Sequence, residues 1–435
     1  MKKLDVKLMH PVEQINMVIG RIYEKGMTTT SGGNISIRDK NGDIWITPSA
    51  VDKGDLTPKD IVCVKKDGTI VGLHKPSSEF PFHKAIFEAR PDINAIIHAH
   101  PPGLVAFSIT RQVPNTNITP HFRSVCGKVG YAPYGCPGSE ELGKKIADQF
   151  IGTDSKAVIM ENHGVVLGGS DMLDAYQRFE TLELCCCTIV SAGKLGKVNA
   201  LTDEQIKQYR AQIPSKTSQF SDVGYPSDEL AIRRDMVNII HRACEQGLMI
   251  STFGTVSARW SGNDFLITPH NVSRWNITAD NIIQVKNGMT EDNKKPSYQV
   301  PLHQRIYEQN PHINSIIMTQ SPNLMAHSIS GTKFDVRTIP ESWIFLQDVP
   351  SVPFGSLFDD IDGMANMFDK NRVVLIENDC VVVTGDKLLN TFDYLEVAEF
   401  SANSLVMAAS VGPLCPMGDA EIDELRVAFS AIIRS

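Results

Sequence analysis

The sequence predicts two α/β domains in tandem, both built on one plan. The chain has 435 residues, which is too long for one ordinary domain and enough for two that each bury a core. Apolar residues at helical spacing alternate along the chain with short β-branched runs, a pattern typical of mixed α and β structure. The second half then repeats the first residue by residue, which indicates a duplicated fold.

The elements of the first half follow from apolar spacing and from glycine and proline. Apolar residues recur at helical spacing from Pro11 until Gly26 ends the helix. The glycine turn before Asn34 opens into a strand that ends at Arg38. Further strands are predicted at residues 43–49, 61–65, 70–72, 94–99 and, as two short strands, 157–167, and helices at residues 82–88, 104–109 and 172–192 and from Ser139. The polar stretch from about residue 193 to 225 predicts an interdomain connection.

Charge and cysteine content argue against several classes of protein. A formal net charge of -8 argues against nucleic acid or an anionic membrane as the main partner. No stretch approaches the apolar length of a membrane span, and charges interrupt the first residues where a secretory signal needs an apolar run. The nine cysteines include the run Cys185–Cys187 and offer neither a disulfide framework nor a CxxC metal pair. We therefore expect a cytoplasmic protein and predict that the cysteine run packs in a core.

Two histidines at the end of an apolar strand form half of a candidate metal site. His98 and His100 are two residues apart, so strand alternation places both side chains on one face. A third imidazole, His163, follows the apolar run at residues 157–160, and three histidines leave a metal one position open for substrate. Glu79 is expected nearby as a carboxylate, ligand or base.

The two halves agree at positions set by turns and packing and differ at the candidate site. The matching segments are Gly33–Arg38 with Gly254–Arg259, Ile46–Ser49 with Ile267–His270, Lys75–Ser77 with Lys295–Ser297, His83 with His303, and Glu161–Asn162 with Glu377–Asn378. At the candidate site Glu79 becomes Gln299, His98 becomes Met318, His100 becomes Gln320 and His163 becomes Asp379. The joint loss of all four favours metal binding over the alternative that the histidines are ordinary polar residues at a strand end.

Two further residues are weighed by the same comparison. His83 survives as His303 in the half that has lost the other site residues, so a structural role is favoured and His83 is left out of the site. Glu79 could be a carboxylate that caps the helix after Ser77 and Ser78. Its change to Gln299, which keeps the size and loses the proton chemistry, favours a catalytic role.

These residues, in this order, resemble the class II aldolase/adducin family over nearly the whole chain. The resemblance implies a central, mostly antiparallel or mixed sheet with helices on both faces in each domain. It implies a domain with a metal site at residues 8–200, a linker at 201–226 and a degenerate domain without that site at 227–435. The implied metal ligands are His98, His100, His163 and Glu79, with Glu79 also catalytic. This ligand set suits Zn²⁺ best and leaves Mn²⁺, Fe²⁺ or Co²⁺ open.

In the family, backbone and hydroxyl donors of three turns hold a substrate phosphate. The positions that match these turns are Gly33, Asn34, Ser49, Ala50, Ser77 and Ser78. The second half replaces three of them, with Thr255, His270 and Tyr298. The family commonly has glycine where this chain has Ala50, so a substrate without phosphate, or with a differently placed anion, stays open.

The resemblance implies a zinc-dependent aldolase, an aldehyde-lyase of carbohydrate metabolism. It would reversibly cleave a ketose phosphate such as fuculose 1-phosphate into dihydroxyacetone phosphate and an aldehyde. The alternatives are a sugar-phosphate 4-epimerase, a dehydratase or decarboxylase at the same site, and a non-enzymatic adducin-like interaction module. Relatives place a proton-donating tyrosine near the positions of His121 and Phe122, where this chain has none, so the second acid is unidentified. Because relatives form four-fold rings, we expect a homodimer whose four domains imitate such a ring.

Overall fold

The computed structural model describes residues 6–151, 153–213, 218–221 and 224–433. Contacts divide the chain into two compact units. The first holds the described residues up to Thr116 together with Phe122–Cys187, and the second holds Asn117–His121 and the described residues from Thr188 on. The domain limits inferred from the sequence stay a prediction. Within the predicted linker, residues 214–217 and 222–223 lie outside the described residues.

The first half of the chain carries an eight-stranded sheet. Its helices are α1 (Pro11–Glu24), α2 (Phe80–Ala89), α3 (Pro102–Ile109), α4 (Pro120–Cys126), α5 (Glu140–Phe150) and α6 (Met172–Leu195). Its strands are β1 (Asn34–Arg38), β2 (Ile44–Ile46), β3 (Val62–Val64), β4 (Ile70–Val71), β5 (Ala95–Ala99), β6 (Val129–Ala132), β7 (Ala157–Met160) and β8 (Gly164–Gly169). The strand order is β4-β3-β2-β1-β5-β8-β7-β6, and among these pairs β6 with β7 is the parallel one. The predicted mostly antiparallel sheet is confirmed.

The second half repeats this sheet and, within the described residues, adds one short edge strand. Its helices are α7 (Asp203–Gln212), α8 (Ser227–Glu245), α9 (Val300–Gln309), α10 (Pro322–Ser330), α11 (Pro340–Leu346), α12 (Ser356–Asp359), α13 (Ile361–Met367), α14 (Leu388–Ala408) and α15 (Asp419–Ala428). Its strands are β9 (Gln219–Phe220), β10 (Thr255–Ser261), β11 (Asp264–Ile267), β12 (Ile283–Lys286), β13 (Met289–Glu291), β14 (Ser315–Thr319), β15 (Ser351–Val352), β16 (Val373–Ile376) and β17 (Cys380–Gly385). The strand order is β15-β16-β17-β14-β10-β11-β12-β13-β9.

Strand alternation distributes the core of the second unit between the two faces of its sheet. On β14, Ile316 and Met318 enter one buried apolar cluster, which includes residues of α9 and α13. Ile317, between them, enters a second cluster with residues of α8 and α14. Because neighbouring strand residues point to opposite faces, helices cover both sides of this sheet, as predicted.

The polar stretch predicted as an interdomain connection contains a helix. Thr202 caps α7 by accepting a hydrogen bond from the backbone of Gln205, whose side chain in turn accepts from Thr202 N, forming a complete capping box. Ile206 and Tyr209 on this helix are buried. The helix was not predicted because the stretch has a low mean hydropathy. Its burial depends on only two apolar residues, one turn apart.

The cysteine run lies in α6, where Cys185 and Cys186 are fully buried. Burial raises the pKa of both thiols well above their ordinary value, so they stay protonated. The predicted core role of this run is confirmed. No helix among the described residues is long and apolar enough to cross a membrane.

Candidate metal centre

The central strand β5 positions the first two histidines. His98 pairs with Asn34 of β1 on one side and with Val166 of β8 on the other. The strand ends at Ala99, and two prolines then start α3, so His100 is the last residue before the chain turns away. The two rings share a face as predicted, with their Nε2 atoms 3.1 Å apart.

The turn between β7 and β8 positions the third histidine. Asn162 adopts the left-handed conformation, with φ of 55°, which reverses the chain. Ser108 Oγ donates to the carbonyl of Met160 at 2.6 Å and accepts from His163 N at 2.9 Å, which holds the turn. One nitrogen from each of His98, His100 and His163 lies within 4.8 Å of the others. The structure therefore brings together the three histidines singled out in the sequence.

Glu79, the residue immediately before α2, completes the group. Its Oε2 lies 3.2 Å from His98 Nε2, and its Oε1 lies 3.4 Å from His163 Nε2. Asn34 Nδ2 donates to Oε2 at 2.7 Å. Oε1 is buried and has no hydrogen-bond partner among the described residues. An orphaned carboxylate oxygen facing imidazole nitrogens is the arrangement that a cation would satisfy.

The hydrogen bonding of His98 determines which of its nitrogens faces this group. Its Nδ1 lies 2.9 Å from the carbonyl oxygen of Val165. Because a carbonyl only accepts, Nδ1 carries a proton, and the neutral ring then presents the Nε2 lone pair toward His100 and Glu79. A backbone partner of this kind is typical of histidines that ligate metals. The residues present therefore fit a divalent cation, and zinc suits three imidazoles with one carboxylate.

The protonation states also suit a cation. Burial, with the neighbouring His98 and His163 rings, lowers the pKa of His100 to about 3. Burial and His98 lower the pKa of His163 to about 4. Burial raises the pKa of Glu79, but His98, His163 and the Asn34 amide outweigh it and hold this pKa below its usual range. At neutral pH the site thus holds neutral imidazoles of His100 and His163 beside an ionised carboxylate, as metal ligation requires.

Two glycines permit the close approach of these segments. A Cβ at Gly164 would lie 2.7 Å from Cδ2 of His100, so a side chain there would displace the imidazole. Gly33 has a φ of +71°, and a Cβ there would lie 2.8 Å from the carbonyl oxygen of His98. Both positions require a residue without a side chain.

The predicted phosphate-binding residues lie on neighbouring turns. Ser49 N donates to the carbonyl of Lys75 at 3.0 Å and Ser77 N to that of Thr47 at 3.2 Å, which joins the turn after β2 to the turn before α2. Ala50 and Ser78 are exposed on these turns. Ala50 has a φ of 59°, so its backbone adopts the conformation that favours glycine, although the residue is alanine. Gly33 and Asn34 lie at the start of β1, and the Asn34 side chain bonds to Glu79.

His83 has a role that the sequence reasoning missed. Its Nδ1 lies 2.7 Å from Ser36 Oγ, and the second unit keeps this pair as His303 and Ser257, also at 2.7 Å. This shared contact supports the structural role inferred for His83. In the first unit, however, the other ring nitrogen of His83 also bonds to Asn34 Oδ1, which orients the Asn34 amide toward Glu79. The sequence carries no signal for this contact, because His83 is retained in the second half while Asn34 changes.

The positions where relatives place a proton-donating tyrosine do not supply one here. His121 belongs to the second unit, where its ring centroid lies 4.5 Å from that of Phe253. Phe122 is fully buried in the first unit. The second acid therefore stays unidentified.

Comparison with known proteins agrees with the duplication. The family model described as Class II Aldolase and Adducin N-terminal domain matches residues 13–190 and again residues 234–406. The 3-oxo-tetronate 4-phosphate decarboxylase of Haemophilus influenzae is 32% identical over 200 residues, which cover 45% of this chain and 94% of the relative. The L-fuculose phosphate aldolase of Methanocaldococcus jannaschii is 36% identical over 173 residues, which cover 39% of this chain and 91% of the relative.

Among solved structures, an L-fuculose 1-phosphate aldolase matches 46% of this chain and 93% of its own length, with 30% identity and a TM-score of 0.42. The two matches to the family model together span well over half of the sequence. The chain therefore belongs to the class II aldolase and adducin family, whose domain it carries twice.

Proposed function

We propose that the chain is a metal-dependent lyase that reversibly cleaves a ketose phosphate into dihydroxyacetone phosphate and an aldehyde. The observation that carries this proposal is the convergence of three imidazoles with a buried, ionised carboxylate. His98, His100 and His163 would hold a divalent cation, preferably Zn²⁺, with Glu79 as a further ligand before substrate binds. Membership of a family with aldolase relatives supports the reaction class.

In this reaction the bound cation and Glu79 would have different roles. A bound divalent cation supplies Lewis acidity that stabilises negative charge on a substrate oxygen. In cleavage the unidentified second acid, in its ionised form, takes the proton of the hydroxyl that becomes the aldehyde, the carbon–carbon bond breaks, and its electron pair stays on the carbon beside the ketone. Glu79 would carry a proton to that carbon in cleavage and remove it in condensation. Its position against two of the histidines supports this role.

The joined turns before α2 and after β2 would hold the substrate phosphate. Ala50 and Ser78 are exposed there, and the positive φ of Ala50 turns the backbone as in an anion-binding nest. We propose Gly33, Asn34, Ser49, Ala50, Ser77 and Ser78 as this phosphate site. Asn34 also bonds to Glu79, so it would connect the phosphate site to the proton carrier.

Decarboxylation of a 3-oxo acid phosphate is the second candidate. A relative that is 32% identical carries the name 3-oxo-tetronate 4-phosphate decarboxylase. Loss of carbon dioxide leaves the same electron pair beside a carbonyl and requires no base to accept a hydroxyl proton. A site in which Glu79 is the one proton carrier identified suits this simpler reaction as well.

Product analysis with the purified chain tests these candidates. Metal content is measured first, and the chain is then incubated separately with L-fuculose 1-phosphate, L-ribulose 5-phosphate and 3-oxo-tetronate 4-phosphate. Dihydroxyacetone phosphate would support the aldolase, carbon dioxide the decarboxylase, and inversion at carbon 4 without fragmentation an epimerase. A chain that binds no divalent ion and turns over none of these compounds would contradict the enzyme and favour an interaction module.

We also propose a cytoplasmic location and a homodimer. All nine cysteines are free thiols, which suits a reducing compartment. A chain that carries the family domain twice would complete a ring of four domains with one further copy.

A further inference from the structure

Three positions that match proposed metal ligands of the first unit keep buried polar side chains in the second unit. They are Gln299, Gln320 and Asp379, and each is at most 4% exposed. Each has one side-chain atom that is buried without a hydrogen-bond partner among the described residues: Gln299 Nε2, Gln320 Oε1 and Asp379 Oδ2. Because a buried polar atom without a partner destabilises a fold, three such orphaned atoms in one group indicate a bound molecule that supplies the partners.

A cavity of about 280 Å³ extends from Gln299. Tyr298 lines it beside Gln299, and Leu357 and Phe358 form an apolar wall. The exposed Gln212 also lines the cavity, which therefore reaches the surface of the second unit. One water molecule in the liquid occupies about 30 Å³, so the cavity is larger than the space of one or two buried waters. It has room for a small organic molecule.

Hydrogen bonds connect the wall of the cavity to the other two orphaned atoms. Tyr298 is hydrogen-bonded to Tyr209, and Tyr209 is hydrogen-bonded to the side chain of Asp379. Gln320 Nε2 donates to the backbone carbonyl of Asp379 at 2.5 Å. The three orphaned atoms thus belong to one connected polar group at the cavity.

The lining of the cavity favours an uncharged ligand. Among the described residues, those that line it carry no charge, so a phosphate or carboxylate would be buried there without a counter-charge. Two positions of the proposed phosphate site carry rings in the second unit, His270 for Ser49 and Tyr298 for Ser78, with centroids 6.0 Å apart. A hard cation is also poorly served, because it takes several oxygen ligands and Asp379 offers one buried carboxyl.

Hydroxyl groups satisfy the orphaned atoms best. Gln299 Nε2 requires an acceptor and Gln320 Oε1 requires a donor, and a hydroxyl can be either. A compound with several hydroxyls supplies both, while its carbon chain lies on the apolar wall of Leu357 and Phe358. We propose that the second unit binds a small uncharged polyhydroxy compound, a free sugar or sugar alcohol, in the cavity at Gln299.

Titration with free sugars tests this site, and neither the site nor the test depends on the proposed lyase reaction. L-fucose, D-ribose and xylitol are titrated into the whole chain at up to about 10 mM, with binding followed by saturation-transfer NMR. At least one of them is expected to bind with a dissociation constant on the order of 1 mM or below. Absence of binding by all three would overturn the proposal. So would binding of Mg²⁺ or Ca²⁺ that Gln299→Leu abolishes, with no binding of the sugars.

Variants in both units locate the bound sugar. Gln299→Leu should raise the dissociation constant at least tenfold, because it removes the orphaned donor and keeps the size of the side chain. Gln304→Leu, on the outer face of α9 where Gln304 donates to Glu308, is the matched control and should leave binding unchanged. His100→Ala should also leave it unchanged, because the candidate metal centre lies in the other unit. Equal binding by the two leucine variants, or loss of binding in His100→Ala, would contradict the site.

A second variant keeps the site testable if Gln299→Leu does not fold. Ile361 lines the cavity and is half-buried, so Ile361→Trp fills the space without removing a hydrogen bond. This variant should lose binding of the same sugar at least tenfold, while circular dichroism shows an intact fold. A folded Ile361→Trp protein with the wild-type dissociation constant would show that the sugar binds elsewhere and would overturn the proposal.

Discussion

The turn that carries His163 in the first unit carries Asp379 in the second, and the surroundings of the two residues differ in kind. Asp379 is fully buried, and burial raises its pKa to about 7 despite a hydrogen bond with Tyr209. Gln320, the counterpart of His100, donates from Nε2 to the backbone carbonyl of Asp379 at 2.5 Å. Where the first unit gathers imidazoles around an ionised carboxylate, the second fills the space with amides and aromatic rings.

The hydrogen bond between Asn34 and Glu79 is also lost in the second unit. Thr255 replaces Asn34, and its hydroxyl bonds to Ser297 Oγ at 2.8 Å. The ring nitrogen of His303 that matches the one facing Asn34 lies 3.1 Å from the sulfur of Met318. The difference teaches that sheet, turns and the serine–histidine pair belong to the fold, whereas the histidine triad and the Asn34–Glu79 contact can be removed together without loss of the architecture.

The largest difference between matching variants of the two units is expected at a proposed metal ligand. His100→Ala should weaken metal affinity by more than about 100-fold, because losing a ligand costs more than losing a partner of a ligand. Elemental analysis after dialysis should then find almost no divalent ion. Gln320→Ala, the same position in the second unit, is the matched control and should leave metal content unchanged. Equal metal content in both variants would remove His100 from the ligand set.

Glu79→Gln gives the first unit the residue that the second unit has at the matching position, Gln299. Turnover should fall by about 10²–10⁴-fold, because the amide cannot carry the proton, while the three histidines still hold the metal. Steady-state kinetics with elemental analysis of the same sample measures both effects. Glu88→Gln, at an exposed carboxylate near the end of the same helix, should leave both values unchanged. Full turnover by Glu79→Gln would exclude Glu79 from the mechanism.

Asn34→Ala removes the amide that holds Glu79. A hydrogen bond to a charged group contributes about 1.5–3 kcal/mol, so a loss of roughly 10–100-fold in kcat is expected if Asn34 positions the base. If phosphate binding is instead the main role of Asn34, KM should rise while kcat is retained. Thr255→Ala in the second unit is the control and should change neither constant. The split between kcat and KM therefore decides between the two roles.

Asp379→Asn tests how the stability of the protein depends on pH through the counterpart of His163. Because burial raises the pKa of Asp379 from 3.8 to about 7, the native state keeps a proton that the unfolded chain releases between about pH 4 and pH 7. Rising pH across this window therefore lowers the stability of the wild type. The asparagine variant has no such proton to lose. Above pH 7 its free energy of unfolding should therefore exceed that of the wild type, by on the order of 1 kcal/mol or more.

Calorimetric unfolding from pH 4 to pH 8 measures this difference. The exposed Asp369→Asn is the control and should follow the wild type at every pH. An Asp379→Asn curve parallel to that of the wild type would show that Asp379 does not titrate in this window.

The sequence was sufficient to predict that three histidines lie together, because the repeat supplied an internal reference. His98, His100 and His163 could be recognised from strand period, a turn and joint replacement, and the structure places them within reach of one another. The role of His83 could not be predicted in full, because spacing indicates which face a side chain occupies and not which group it bonds to. The helix α7 was missed for a related reason, since its burial depends on Phe354 and other residues distant in the sequence.

By itself, the sequence determined the duplication, the mixed α/β class, the mostly antiparallel sheet once the family was recognised, and the identity of the residues that could bind a metal. These properties follow from local periodicity and from comparison of the two halves. Only the tertiary structure decided that Asn34 bonds to Glu79, that His83 holds Asn34 and that His98 Nδ1 faces the Val165 carbonyl. Such properties depend on distances between residues far apart in the chain, and those distances exist only when the strands and turns are assembled.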